Sequence, residues 1–120
     1  MEIKLFDSEL KVMNVLWEKG ELYARDIVEI LSESTGWNRN TTYTLINRCI
    51  KKGAIERVEP NFLCRALVKK EIIQEKETAE LVEKIFDGSR DLLFASLLSS
   101  KGLSDKDIKK LKKIVDEMSE

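Results

Sequence analysis

The residues best equipped for recognition chemistry lie in GWNRNTTYTLINRCIKKG, residues 36–53. An asparagine amide can pair with an adenine edge, and a threonine offers a hydroxyl and a methyl group for a thymine. An arginine can pair with guanine or reach a phosphate. Catalysis has far less to work with. The chain has no histidine, the commonest general acid or base, and no glycine-rich phosphate loop, GxSxG elbow or HExxH pattern. Its two cysteines, Cys49 and Cys64, form no CxxC pair, and no further ligand cluster completes a zinc site. They are expected to be buried structural thiols. The composition therefore points away from an enzyme and implies no cofactor and no metal.

The same stretch is an odd helix. Asn38, Asn40, Thr41, Thr42, Tyr43 and Thr44 are mediocre helix formers. They cost roughly 2 kcal/mol against a filling of Ala, Glu and Lys. Residues placed at 100° intervals put Thr42, Leu45, Ile46, Cys49 and Ile50 on an inner face. Asn40, Thr44, Asn47 and Lys51 fall opposite, with Thr41, Tyr43 and Arg48 at the margins. The outer face is neutral and polar at its start and basic at its end, which suits a helix entering the major groove N-terminus first. From Ser34 to Ile55 there is no Asp or Glu, while Arg39, Arg48, Lys51 and Lys52 supply positive charge. Such a local basic footprint fits a phosphate-contacting surface despite a net charge of −1.

The elements that must position this helix are legible around it. A first helix is expected over about Ser8–Lys19, with Asp7 as N-cap and a stripe of Leu10, Met13, Leu16 and Trp17. Glu21-Leu22-Tyr23 reads as a connector that could supply an edge strand. A second helix follows over about Ala24–Ser34, without an obvious capping residue at its start. Asn38 is the N-cap expected for the third, Arg39–Lys52, which Gly53 stops. Strands near Ala54–Val58 and Phe62–Leu67 flank a Pro60-Asn61 turn. Three helices and a hairpin make a winged helix-turn-helix over residues 1–68. In the hairpin, Arg57 and Arg65 are candidate phosphate contacts, and Arg25 is a third outside it.

Residues 69–120 read as a separate helical domain broken at Gly88, with Ser104 and Asp107 as a capping pair for the last helix. Its apolar positions include Ile72, Val82, Ile85, Phe86, Leu93, Leu97, Ile108, Leu111 and Val115. So short a segment buries a low fraction of its surface alone. A second copy supplying the missing cover, as in a two-fold homodimer, is the economical expectation. The fold class is thus mainly α with a small β-hairpin wing. At 120 residues with 42% hydrophobic and 36% charged residues, the chain carries no membrane-length apolar run and no signal peptide. It is expected to be cytoplasmic, without a membrane partner.

LFDSELKVMNVLW, GELYARDIVEIL, GWNRNTTYTLINRCIKKG and GLSDKDIKKLKKI together resemble the penicillinase-repressor family of bacterial transcription regulators, the BlaI/MecI/CopY type. The resemblance implies a homodimer with an N-terminal winged-helix DNA-binding domain and a C-terminal dimerisation domain, repressing from a dyad-symmetric operator. It implies DNA contacts from Arg39, Asn40, Thr41, Tyr43, Thr44 and Arg48. Tyr43 departs from the pattern, because well-known members carry a basic residue there. Members cut by a protease on induction have an Asn-Phe bond where this chain has Ala95-Ser96. Copper-responsive members carry CxC motifs near the C-terminus, and residues 65–120 here have no cysteine. The inducer, and any regulatory protease, therefore stay unidentified. With Asn47, Lys51 and Arg57 added from the helix and wing geometry, the sequence leads to a repressor binding double-stranded DNA. A winged-helix protein-interaction module and a thiol-switched sensor using Cys49 and Cys64 are the alternatives.

Overall fold

A computed structural model of the chain describes residues 2–99 and 102–118. Its first helix, α1 (Asp7–Lys19), buries Val12, Met13, Val15 and Leu16, so its inner stripe is broader than expected, with Leu10 and Trp17 only half-buried. Asp7 is not the N-cap. Phe6 holds that position, without a side-chain bond of its own, and its N–H donates to Glu9 Oε1 at 2.8 Å. Asp7 sits instead in the first turn, where a negative charge is favoured by the helix dipole.

Glu9 is only 1% exposed, a carboxylate inside the core. Its Oε1 lies 2.6 Å from Lys52 Nζ, which also donates to the Lys4 carbonyl at 2.7 Å and sits 4.1 Å from the Phe6 ring centroid. Lys52 is thereby drawn away from the basic surface in which the sequence placed it. It caps the C-terminus of α3 (Arg39–Lys51), one residue beyond the helix proper.

Between these two helices runs α2 (Ala24–Thr35), ended by Gly36 in the left-handed region at φ 78°. Its missing capping residue has a physical explanation. The Ala24 N–H donates to the carbonyl of Phe62 at 2.9 Å, a partner far along the chain. The connector before it does form a strand, β1 (Leu22–Tyr23). With β2 (Ile55–Val58) and β3 (Leu63–Ala66) it makes an antiparallel sheet in the order β1-β3-β2. Cys64 is paired with both Leu22 and Arg57. The hairpin is shorter than expected, because Phe62 leaves the ladder with φ 59° and the turn occupies Glu59 to Phe62.

Leu5, Met13, Leu16, Ile27, Leu31, Leu45, Ile46, Cys49, Ile55 and Cys64 form one buried core, which Ile73 joins from the first turn of α4 (Lys70–Ile85). The Trp17 indole N–H donates to the Val68 carbonyl at 2.9 Å. The chain divides into two compact units, Met1–Gln74 and Glu75–Glu120. The second holds the rest of α4, then α5 (Arg90–Ser99) and α6 (Asp105–Met118). At the start of α6 the Ser104 N–H donates to Asp107 Oδ2 and the Asp107 N–H to Ser104 Oγ, each at 3.1 Å. That is the reciprocal capping pair expected from the sequence.

Both cysteines are free and buried. Burial first, and then the Glu9 charge, pushes the Cys49 thiol up to about 12, against an opposing pull from Lys52. Burial raises Cys64 to about 11, opposed by Arg57. A reactive cysteine needs a lowered pKa and access, so neither thiol is built as a redox switch.

Two outcomes are expected. Lys52→Ala strands a buried carboxylate and should cost about 2–4 kcal/mol in urea unfolding. Pairing Glu9→Gln with Lys52→Met should recover much of that loss, and a Lys52→Ala variant as stable as the parent would refute the pairing. The raised thiols give stability that is fully present below their unfolded value of 9.0 and lost as pH rises toward 11 and 12. Above 9 the unfolded chain releases protons that the folded chain keeps, about 1.4 kcal/mol per pH unit for each thiol. Cys64→Ala should flatten the alkaline fall in stability, and an unchanged pH profile would contradict it.

Candidate nucleic-acid interface

The third helix is set by its own cap. Asn38 Oδ1 accepts the Thr41 N–H at 2.8 Å, and the turn that follows carries Arg39, Asn40 and Thr41 outward. Thr42, Leu45, Ile46 and Cys49 are buried and Ile50 half-buried, so the inner face is the one that the 100° spacing assigns. Thr42 is fully buried and its hydroxyl has no partner among the described residues. A hydroxyl held that way is a cost that the neighbouring apolar packing offsets.

On the outer face Arg39, Asn40, Thr41, Thr44, Asn47, Arg48 and Lys51 are all exposed. Among the described residues, the side chains of Asn40, Thr44, Asn47, Arg48 and Lys51 make no hydrogen bond or ion pair. Their donors and acceptors face solvent along a single helical ridge. A hollow of about 370 Å³ runs along one flank of this ridge, between Ser8, Trp37, Asn40, Thr44 and Arg48. Tyr43 is the exception. It is half-buried, with the Arg39 guanidinium 5.3 Å from its ring centroid and the Phe62 ring 5.8 Å away.

The wing is differently equipped. Arg57 lies over the Phe62 ring at 3.7 Å, and its Nε donates to Glu59 Oε1 at 2.6 Å. Arg65 donates to Glu21 at 2.7 Å and lies 3.6 Å from Glu56. Arg25 sits 5.2 Å from the Tyr23 ring centroid. The wing arginines are therefore each matched by carboxylates, whereas the cations of α3 are not. Among the described residues no group of three or more His, Cys, Asp or Glu side chains could hold a metal, and no helix is long and apolar enough to cross a membrane.

The residues proposed for self-association are distributed unevenly. Val82 is buried, Phe86, Leu93 and Leu111 are half-buried, and Ile72, Ile85, Leu97, Ile108 and Val115 are exposed. Leu92, Phe94, Leu98, Ile114 and Met118 add further exposed apolar surface in the second unit. An apolar hollow of about 290 Å³ opens between α5 and α6, lined by Phe94, Leu98, Ile108, Leu111 and Val115. Ala95 and Ser96 lie within α5 and are exposed.

Two structural contributors escaped sequence reasoning. Glu9 looks like one more surface acid, although its spacing three residues after Phe6 is that of a backbone-capping carboxylate. Phe62 looks like a strand residue, and no local signal announces its left-handed turn.

Comparison with known proteins places this geometry. The sequence model of the penicillinase repressor family matches residues 5–117. The methicillin resistance regulatory protein MecI of Staphylococcus aureus strain N315 is 30% identical over 115 residues, covering 94% of each chain. Among solved structures, the DNA-binding domain of the repressor BlaI aligns with a TM-score of 0.53 at 28% identity, over 56% of this chain and 84% of that one. Bacillus licheniformis BlaI, in monomeric form in complex with the blaP half-operator, aligns with a TM-score of 0.50 at 27% identity, over 57% and 85%. A family match over nearly the whole length, with a winged-helix fold to accompany it, settles membership: the chain belongs to the penicillinase repressor family.

Proposed function

We propose that this chain is a dimeric, sequence-specific DNA-binding transcriptional repressor that occupies a dyad-symmetric operator. The observation that carries the reading is the outer face of α3, where exposed Asn40, Thr44, Asn47, Arg48 and Lys51 have no partner within the described chain. Unpaired polar groups aligned on one helix, free of acidic neighbours, match what a major groove offers. The half-operator complex of the similar BlaI protein supports the same assignment.

In this reading α3 lies in the groove with Asn40 and Thr44 on base edges, and Arg48 and Lys51 farther along the backbone. Arg39, Thr41 and Asn47 complete the contact from the same helix, and Arg57 meets the backbone from the wing. Two protomers then read half-sites about one helical turn apart, or a multiple of it. The second copy would cover the exposed apolar residues of α5 and α6, a patch of the kind monomers seldom leave to water. Repression follows from occupying the promoter, with no bond made or broken.

Binding to a duplex selected from a random pool should weaken steeply with salt, with a log–log slope of roughly −0.9 per phosphate neutralised. Asn40→Ala or Thr44→Ala should relax preference at one base position by about 1–3 kcal/mol. Lys51→Ala should weaken every sequence alike. Salt-independent binding, or a Lys51→Ala variant with an altered base preference, would rule the assignment out. Sedimentation equilibrium should find the parent chain dimeric and Leu97→Asp monomeric, and a monomeric parent at micromolar concentration would end the dimer reading.

A further inference from the structure

A row of four side chains crosses from α3 to the hairpin turn. The Arg39 guanidinium lies 5.3 Å from the Tyr43 centroid, Tyr43 and Phe62 are 5.8 Å apart with planes tilted at 56°, and Arg57 lies 3.7 Å above Phe62. Each spacing is one at which ring–ring or cation–ring attraction operates. Two further features mark the row as more than casual packing. Phe62 holds φ 59°, a conformation that bulky residues rarely adopt, and its carbonyl anchors the start of α2 through Ala24. Tyr43 is also the one residue of the candidate contact set on α3 whose side chain turns partly inward.

We propose that Tyr43 is a positioning residue, coupling the recognition helix to the wing so that Arg39 and Arg57, at the two ends of the row, grip the DNA backbone together. Its ring has the Arg39 guanidinium over it and Phe62 beside it at a tilt, and in this role it does not read a base. The inference rests on the DNA-binding reading above. In the free chain Glu59 holds the Arg57 Nε at 2.6 Å, so binding exchanges that carboxylate for a phosphate. Truncating Tyr43 frees both guanidinium groups to move independently, and one or both phosphate contacts are then lost to the cost of ordering each group by itself.

The test measures salt dependence and sequence preference on a duplex selected from a random pool by the parent protein. Tyr43→Ala should reduce the steepness of the log–log salt slope by roughly one to two, one phosphate being worth about 0.9, while selecting the same sequence. Tyr43→Phe keeps the ring and should match the parent. Tyr43→Leu fills the space without an aromatic face. It should reproduce the loss with little change in thermal unfolding, so the result does not depend on Tyr43→Ala folding well. A slope unchanged in Tyr43→Leu overturns the proposal, as does a changed preference at one base position, which would make Tyr43 a reader. If the parent protein itself selects no sequence, the DNA-binding reading fails first, an outcome distinct from either.

Discussion

One half-buried ion pair ties the end of α3 to the start of α1. Glu9 caps the start of α1 through the Phe6 N–H and meets Lys52 at the end of α3. An isolated carboxylate in a protein interior costs several kcal/mol in lost hydration, and a pair recovers this only when its geometry is good. Here the geometry has little slack. Oε1 is shared between Phe6 and Lys52, and Oε2 has no partner among the described residues. Removing Lys52 would strand the carboxylate. The roll of α3 is set by Thr42, Leu45, Ile46 and Cys49, which are close-packed in the core. That packing selects which residues of α3 face water, and the ion pair anchors the end of the helix.

That selection explains the composition of the helix. Each fully buried Leu or Ile contributes about 1.5–3 kcal/mol. Leu45 and Ile46 therefore outweigh the roughly 2 kcal/mol that the Asn and Thr residues forfeit in propensity. The helix forms because the domain holds it, and its outer positions are released from any duty to favour helix. Asn38 illustrates the division. Its side chain closes the helix N-terminus, whereas Asn40, two residues on, has no structural task. The same residue type serves stability in one place and is left available in the other.

What could be read from the sequence follows the range of each interaction. The two faces of α3, the Asn38 cap and the Ser104–Asp107 pair depend on neighbours within four residues, and spacing alone locates them. The helix begins at Asp7 with Phe6 as its cap, where Glu9 accepts the Phe6 N–H and is held by a lysine 43 residues away. The start of α2 looked uncapped for the same reason, since its bond goes to Phe62. Lys52 reads as surface charge in the sequence, although its half-buried ammonium is held by Glu9. Among the candidate contacts, Arg65 is matched by Glu21 and Glu56 from β1's approach and from β2, a pairing that only the sheet register brings together.

Charge placement on this fold bears on why two copies would be needed. With Lys52 held by Glu9 and the wing arginines facing carboxylates, the cations left without a carboxylate on the candidate contact face are Arg39, Arg48 and Lys51 of α3. At physiological salt, fields fade over about 8 Å, so the net charge of −1 matters less than this local set. In the proposed reading, so few phosphate contacts would give one protomer a modest electrostatic contribution to affinity. Joining two such surfaces makes the second engagement intramolecular and can raise affinity by orders of magnitude without a new contact. Under the proposed reading, the exposed apolar surface of the second unit and the sparse basic surface of α3 are complementary. Weak half-site binding would then make DNA occupancy depend on association, so any event that separates the protomers would also release the DNA.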